Sequence, residues 1–194
     1  LMFFSGCCEG QQDATSDYSA WNVYAGSADA AQYSSNSQIN TSNVRGLEPA
    51  WSFSTEDNNR YFFAPLVVDK FAYVLAKSNS IVAIDATNGK EIWTHTLASR
   101  TVAITNRGIN YWESKDRSER RLFFSSDHFL RALDARTGKV IESFGDGGSI
   151  NLKEGLGRDP DTFSLVQSHS PGRIFEDLLI LGSATNEGYG SAPG

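Results

Sequence analysis

Ala83-Ile84-Asp85-Ala86-Thr87-Asn88-Gly89-Lys90 recurs as Ala132-Leu133-Asp134-Ala135-Arg136-Thr137-Gly138-Lys139. The two aspartates, 85 and 134, stand 49 residues apart, a spacing at which self-similarity marks propellers and solenoids. Each copy has the same physical logic. A short apolar strand ends at an Asp whose carboxylate can accept from backbone N–H groups two residues on, and a Gly takes the positive φ that other residues avoid. A Lys then opens the return strand. In the first copy that strand carries Trp93, a large ring suited to burial against a neighbouring unit.

Outward from the repeat, apolar runs pair around short acidic turns. Ala64-Pro65-Leu66-Val67-Val68-Asp69 and Phe71-Ala72-Tyr73-Val74-Leu75 pair around Asp69-Lys70, and Leu122-Phe123-Phe124-Ser125 and Phe129-Leu130-Arg131-Ala132-Leu133 flank Asp127-His128. Arg173-Ile174-Phe175 and Leu178-Leu179-Ile180-Leu181 flank Glu176-Asp177. These read as three hairpins. The alternation Ala50-Trp51-Ser52-Phe53 predicts a strand with one buried face within 44–55, and the Gly- and Asp-rich stretch 145–160 predicts a loop with a single helical turn. No window holds helical periodicity over three turns. The expected fold is all-β: a β-propeller with Trp-docking (W-type) repeats, of which about the first two to three blades are present.

Of 194 residues, 40% are hydrophobic and 21% charged, with a net charge of −6. That is a globular composition, and the negative balance argues against nucleic acid as a partner. The one dense basic cluster, Arg117, Arg120 and Arg121, is interleaved with Asp116 and Glu119. His95, His128 and His169 lie in separate units without metal-ligand spacing, so each reads as structural or exposed.

The two cysteines are adjacent, Cys7 and Cys8. Leu1 to Gly6 looks like the end of a signal peptide, and Phe4-Ser5-Gly6-Cys7 resembles a bacterial lipobox. The expected organisation is a signal-peptide remnant over 1–6, a flexible lipoprotein-type tether over 7–20 with Cys7 lipidated and membrane-bound, and an incomplete propeller over 21–194. A chain beginning at Leu1 and ending at Gly194 reads as truncated at both ends, with the remaining blades beyond Gly194.

The residues between the units carry a resemblance. Arg107-Gly108-Ile109-Asn110-Tyr111-Trp112 resembles the Arg-Gly-x-x-Tyr-Trp segment of the quinoprotein dehydrogenases that use pyrroloquinoline quinone (PQQ). Trp21-Asn22-x-Tyr24-Ala25-Gly26, with Gln38-Ile39-Asn40-x-x-Asn43-Val44, looks like that family's N-terminal signature. The second repeat running on to Ser143-Phe144-Gly145-Asp146-Gly147-Gly148 looks like its second blade. Gly182-Ser183-Ala184-Thr185-Asn186-Glu187 sits where the family contacts cofactor and metal. The resemblance covers 21–194, roughly the first third of a ring of about eight blades.

It implies specific roles. Arg107 would hydrogen-bond the quinone oxygens at C4 and C5, where a guanidinium's paired donors suit oxygens that gain charge on hydride transfer. Ser183, Ala184 and Thr185 would line the cofactor's carboxylate side, Ser168 would place a hydroxyl against it, and Glu187 would ligate Ca²⁺. The implied activity is periplasmic oxidation of an alcohol or sugar hydroxyl, with a quinone or cytochrome as electron acceptor. The family's general-base Asp would lie downstream, so no catalytic residue is assigned in this fragment and it is expected to be inactive alone. Thr101-Val102 stands where methanol-type enzymes have a vicinal cysteine pair, and Phe62 where they have a Glu. Both departures point away from methanol-type enzymes and toward glucose-dehydrogenase-like or uncharacterised branches, with the substrate open. The alternative is a non-catalytic propeller lipoprotein acting as an outer-membrane assembly or interaction scaffold, which needs neither the Arg-Gly segment nor a Glu after Gly182-Ser183.

Overall fold

The computed structural model describes residues 18–97, 104, 107–157, 159–162, 166, 168 and 170–183. Its elements are three antiparallel sheets in chain order. The first runs β1 (Leu66–Val68), β2 (Phe71–Ala76), β3 (Ser80–Asp85) and β4 (Glu91–Thr96), each paired with the next. The second repeats this order with β5 (Asn110–Glu113), β6 (Arg120–Ser126), β7 (Phe129–Asp134) and β8 (Ser149–Asn151). The third is a hairpin of β9 (Arg173–Phe175) and β10 (Leu178–Ile180). Two four-stranded blades and the opening hairpin of a third match the propeller expected from the repeat.

The three hairpins turn where the sequence places them. Register closes Val68 on Phe71, Ser126 on Phe129 and Phe175 on Leu178, leaving two loop residues each time. The first loop residue, Asp69, Asp127 or Glu176, has φ of 52°, 58° or 53°, the positive φ that primed hairpin turns require. In the repeated turns the Asp85 carboxylate accepts from Thr87 N–H at 2.9 Å, and Asp134 from Arg136 and Thr137 N–H at 3.0 and 2.9 Å. Gly89 and Gly138 close the turns onto the carbonyls of Asp85 and Asp134, both at 2.8 Å.

These turns are docking platforms. Trp93 Nε1 donates to the Ala135 carbonyl (3.2 Å) and the Tyr73 hydroxyl donates to the same oxygen (3.1 Å), so β2 and β4 of one blade grip the turn of the next. His95 Nδ1 bonds the Gly138 carbonyl at 3.0 Å; its burial holds the imidazole pKa below the ordinary value. Around this contact the facing sheets alternate inward: Leu66, Tyr73, Ile81, Ala83 and Trp93 from the first, Ile109, Tyr111, Leu122, Phe124 and Leu133 from the second. This inter-blade layer is the main core. The first sheet's other face buries Ala72, Ala76, Val82 and Ile84 under Phe53.

Two local expectations change. Residues 50–53 form no strand; the only regular element nearby is a short 3-10 turn, Val44–Gly46. The alternation reflects docking instead: Trp51 Nε1 donates to the Ala86 carbonyl at 3.0 Å, as Trp93 does to Ala135 one blade on. Among the described residues nothing pairs with this segment as a ladder, so its pattern is that of a strand and its hydrogen bonding is not. The second correction is β8, inside the stretch read as loop. Val140 pairs with Leu133 and Ser149 with Arg131, and Ile141 and Gly148 both bond Ala132, so the chain leaves the sheet over 142–147 and returns to finish the fourth strand. Phe144 in this excursion packs on Phe123, ring centroids 5.3 Å apart. The expected helical turn is a 3-10 turn at Pro160–Thr162.

Candidate functional site

Ala64, Gly108 and Pro171 each lie two residues ahead of the strand that opens their sheet, β1, β5 and β9. They meet. Ala64 N–H donates to the Arg107 carbonyl at 3.2 Å. A Cβ placed on Gly108 would stand 3.5 Å from the Ala64 oxygen and 3.8 Å from Pro171 Cγ. That space admits a methyl; what calls for glycine is the backbone, with φ at 147°. β5 also contacts β9, so the opening strands of successive sheets converge at this end.

Local register pushes Arg107 out. Ile104 pairs with Ser126, and Asn110 pairs with Phe123. From 126 to 123 is three steps along β6, whereas from 104 to 110 is six along the facing strand. The surplus is extruded as a bulge-like excursion with Arg107 near its middle, a device that re-aims a side chain at a strand's end. Arg107 is exposed, and its guanidinium has no hydrogen bond or ion pair among the described residues. The excursion is held at its start by Ile104 N–H donating to Asn79 Oδ1 (3.2 Å) and at its end by the Asn110 amide donating to the Pro171 carbonyl.

The other residues named from sequence divide as follows. Ser168 is 2% exposed, and its hydroxyl donates to the Ser170 carbonyl at 2.7 Å, in the turn that leads to Pro171. The Asn110 bond therefore brings the Arg107 excursion and the Ser168 turn together. Ser183 is exposed and follows β10 at the same end as Gly172 and Pro171, because Ile180 pairs with Arg173. Ala184, Thr185 and Glu187 lie outside the described residues, as do Thr101-Val102, Cys7 and Cys8. Phe62 is exposed at this end, with the Arg60 guanidinium 4.9 Å from its ring centroid. Among the described residues, a guanidinium without a partner and the exposed Ser183 hydroxyl at one end form a donor set that suits an anionic, oxygen-rich ligand.

The opposite end carries an ion-paired charge cluster that sequence reasoning located only in part. Arg117 Nη2 donates to both Asp69 oxygens (3.0 and 2.8 Å), and its Nε donates to Glu113 (2.9 Å). Arg120 Nη1 adds a bond to Asp69 at 2.9 Å. Arg117 beside it holds the Asp69 carboxyl below the usual carboxylate range. The cluster joins the β1–β2 turn to the β5–β6 hairpin. Its arginines are visible in the sequence, but Asp69 is their partner only through the fold.

Comparison with known proteins agrees with the fold. The family described as PQQ glucose/ethanol/alcohol dehydrogenase, beta-propeller domain, matches residues 21–193. The glycerol dehydrogenase large subunit of Gluconobacter oxydans is 29% identical over 92% of this chain and 26% of its own length. The alcohol dehydrogenase (quinone) dehydrogenase subunit of Komagataeibacter europaeus is 34% identical over 86% of this chain and 22% of its own. The crystal structure of quinohemoprotein alcohol dehydrogenase from Comamonas testosteroni superposes with a TM-score of 0.68 at 26% identity, over 87% of this chain and 24% of that one. The chain thus spans about a quarter of these relatives, less than the third expected. A repeat that folds into Trp-docked blades, together with a match over 21–193, shows that this chain belongs to the PQQ glucose/ethanol/alcohol dehydrogenase β-propeller family.

Proposed function

We propose that this chain is the N-terminal part of a periplasmic quinoprotein dehydrogenase that oxidises a small alcohol or sugar hydroxyl. The observation that carries this reading is the convergence of Arg107, exposed and without a partner among the described residues, with the Ser168 segment at the end where the opening strands of the sheets meet. Bound there, PQQ supplies a hydride-accepting quinone and Ca²⁺ a Lewis acid. Arg107 donates paired, charge-assisted hydrogen bonds to oxygens that become more negative as the reaction proceeds, which favours the reduced state over the ground state. Ser183, Ala184 and Thr185 offer hydroxyl and backbone donors to the carboxylates, Ser168 shapes the floor, and Glu187 contributes a hard oxygen ligand to the metal. The general base belongs to chain beyond Gly194, so the 194 residues alone do not turn over. Lipidation at Cys7, with 7–20 as tether and 21–194 as propeller, anchors the enzyme to a membrane, within reach of a quinone or cytochrome acceptor.

The test is PQQ titration of the full-length protein carrying Arg107→Ala or Arg107→Lys, followed by absorbance. A hydrogen bond to a charged group contributes about 1.5–3 kcal/mol, so Arg107→Ala is expected to weaken PQQ binding roughly 10- to 100-fold. Arg107→Lys recovers part of it, because an ammonium keeps the charge and loses the fork. Unchanged binding in both variants refutes the assignment.

A further inference from the structure

Nothing in the reading above gives Asn110 a part: it occupies an unspecified position of the Arg-Gly-x-x-Tyr-Trp segment. The structure does. Asn110 opens β5, is 5% exposed, and donates its side-chain amide to the Pro171 carbonyl across the boundary between the second and third sheets. A buried carboxamide is costly unless its hydrogen bonds are made. Here the bond joins the end of the Arg107 excursion to the turn holding Ser168. Without it, the excursion keeps its Asn79 anchor and the Ala64–Arg107 backbone bond, both toward the first sheet. Its tie to the third sheet loses a side-chain donor, and the Pro171 carbonyl loses its partner.

We propose that Asn110 is a positioning residue for cofactor binding: it fixes the Arg107 excursion against the Pro171 turn, so that Arg107 and the Ser168–Ser183 side of the site present their donors in one arrangement. This rests on the assignment of Arg107 to the cofactor. The physical effect is preorganisation, since an excursion free to sample several arrangements binds with lower affinity for the same contacts.

The experiment is a double-mutant cycle in the full-length protein, with PQQ as titrant. Asn110→Leu keeps the buried volume and removes the donor, and Asn110→Asp keeps the shape and removes it. Each is expected to weaken PQQ about ten-fold in the wild-type background, the scale of one unmade buried hydrogen bond. In an Arg107→Ala background the same changes are expected to cost less than two-fold, because their effect runs through Arg107. Hydrogen exchange should rise in a peptide spanning 104–112 and stay unchanged in one spanning 120–134. Equal losses in both backgrounds, or wild-type affinity in the single variants, overturn the proposal. So does failure of both variants to fold, which would make Asn110 a residue of the fold and not of the site. Arg107→Ala binding PQQ at wild-type strength would instead sink the cofactor assignment itself, whatever Asn110 does.

Discussion

Gly138 shows how closely a single residue is tied to the architecture. Its φ is 69°, and a Cβ there would stand 2.5 Å from Trp93 Cε3. Both the backbone and the docked ring exclude a side chain. Gly147 has a similar φ of 55° but nothing within 4 Å of the position a Cβ would take. Gly138→Ala should therefore cost about 2–4 kcal/mol, combining left-handed strain with overpacking, whereas Gly147→Ala should cost only about 1 kcal/mol. Chemical denaturation of the two variants checks this, and equal losses would mean the ring does not press on Gly138. Arg107 is the opposite kind of residue. No packing observation would single it out. The role proposed for it was legible only through the resemblance carried by Arg107-Gly108 and Tyr111-Trp112.

Among elements, the unit of construction is an aromatic docked on the next blade's turn, and the turn was readable because it repeats. Trp93 on Ala135 and Trp51 on Ala86 are the same contact in successive positions. They differ in burial: Trp93 is 9% exposed and Trp51 is 36%. Trp93→Ala is expected to cost about 3–5 kcal/mol, and Trp51→Ala less than half of that, because much of its ring already faces water. Thermal unfolding would decide, and a Trp51 loss as large as the Trp93 loss would contradict the burial argument. The same pair explains one misreading. Alternation at 50–53 reports which side chains are buried, not whether a ladder partner is present, so a docked segment and a paired strand look alike in sequence. β8 was missed for the converse reason. Its three residues follow an excursion rich in Gly and Asp, and only pairing with β7 returns them to the sheet.

In the whole molecule, two ends of the stacked blades have different chemistry. One is closed by the Asp69–Arg117–Glu113–Arg120 cluster, with its charges spent on one another. The other presents Arg107 and Ser183 exposed and, among the described residues, without side-chain partners, in a chain that belongs to a family of PQQ dehydrogenases. That asymmetry could not be read from composition, which shows scattered charge of both signs; it follows from strand direction, which sends the hairpin turns one way and the segments before β1, β5 and β9 the other. The third sheet's hairpin leaves Phe175, Leu178 and Ile180 exposed beside an apolar groove of about 510 Å³ lined by Trp112, Phe123, Leu130 and Phe144. A dye-linked dehydrogenase assay of the full-length protein against an alcohol and sugar panel decides whether these blades are part of a PQQ enzyme. Activity that appears only when PQQ and Ca²⁺ are both supplied is the predicted result. Absence of turnover on every substrate, with no PQQ bound by absorbance, would contradict it and leave a propeller without the chemistry.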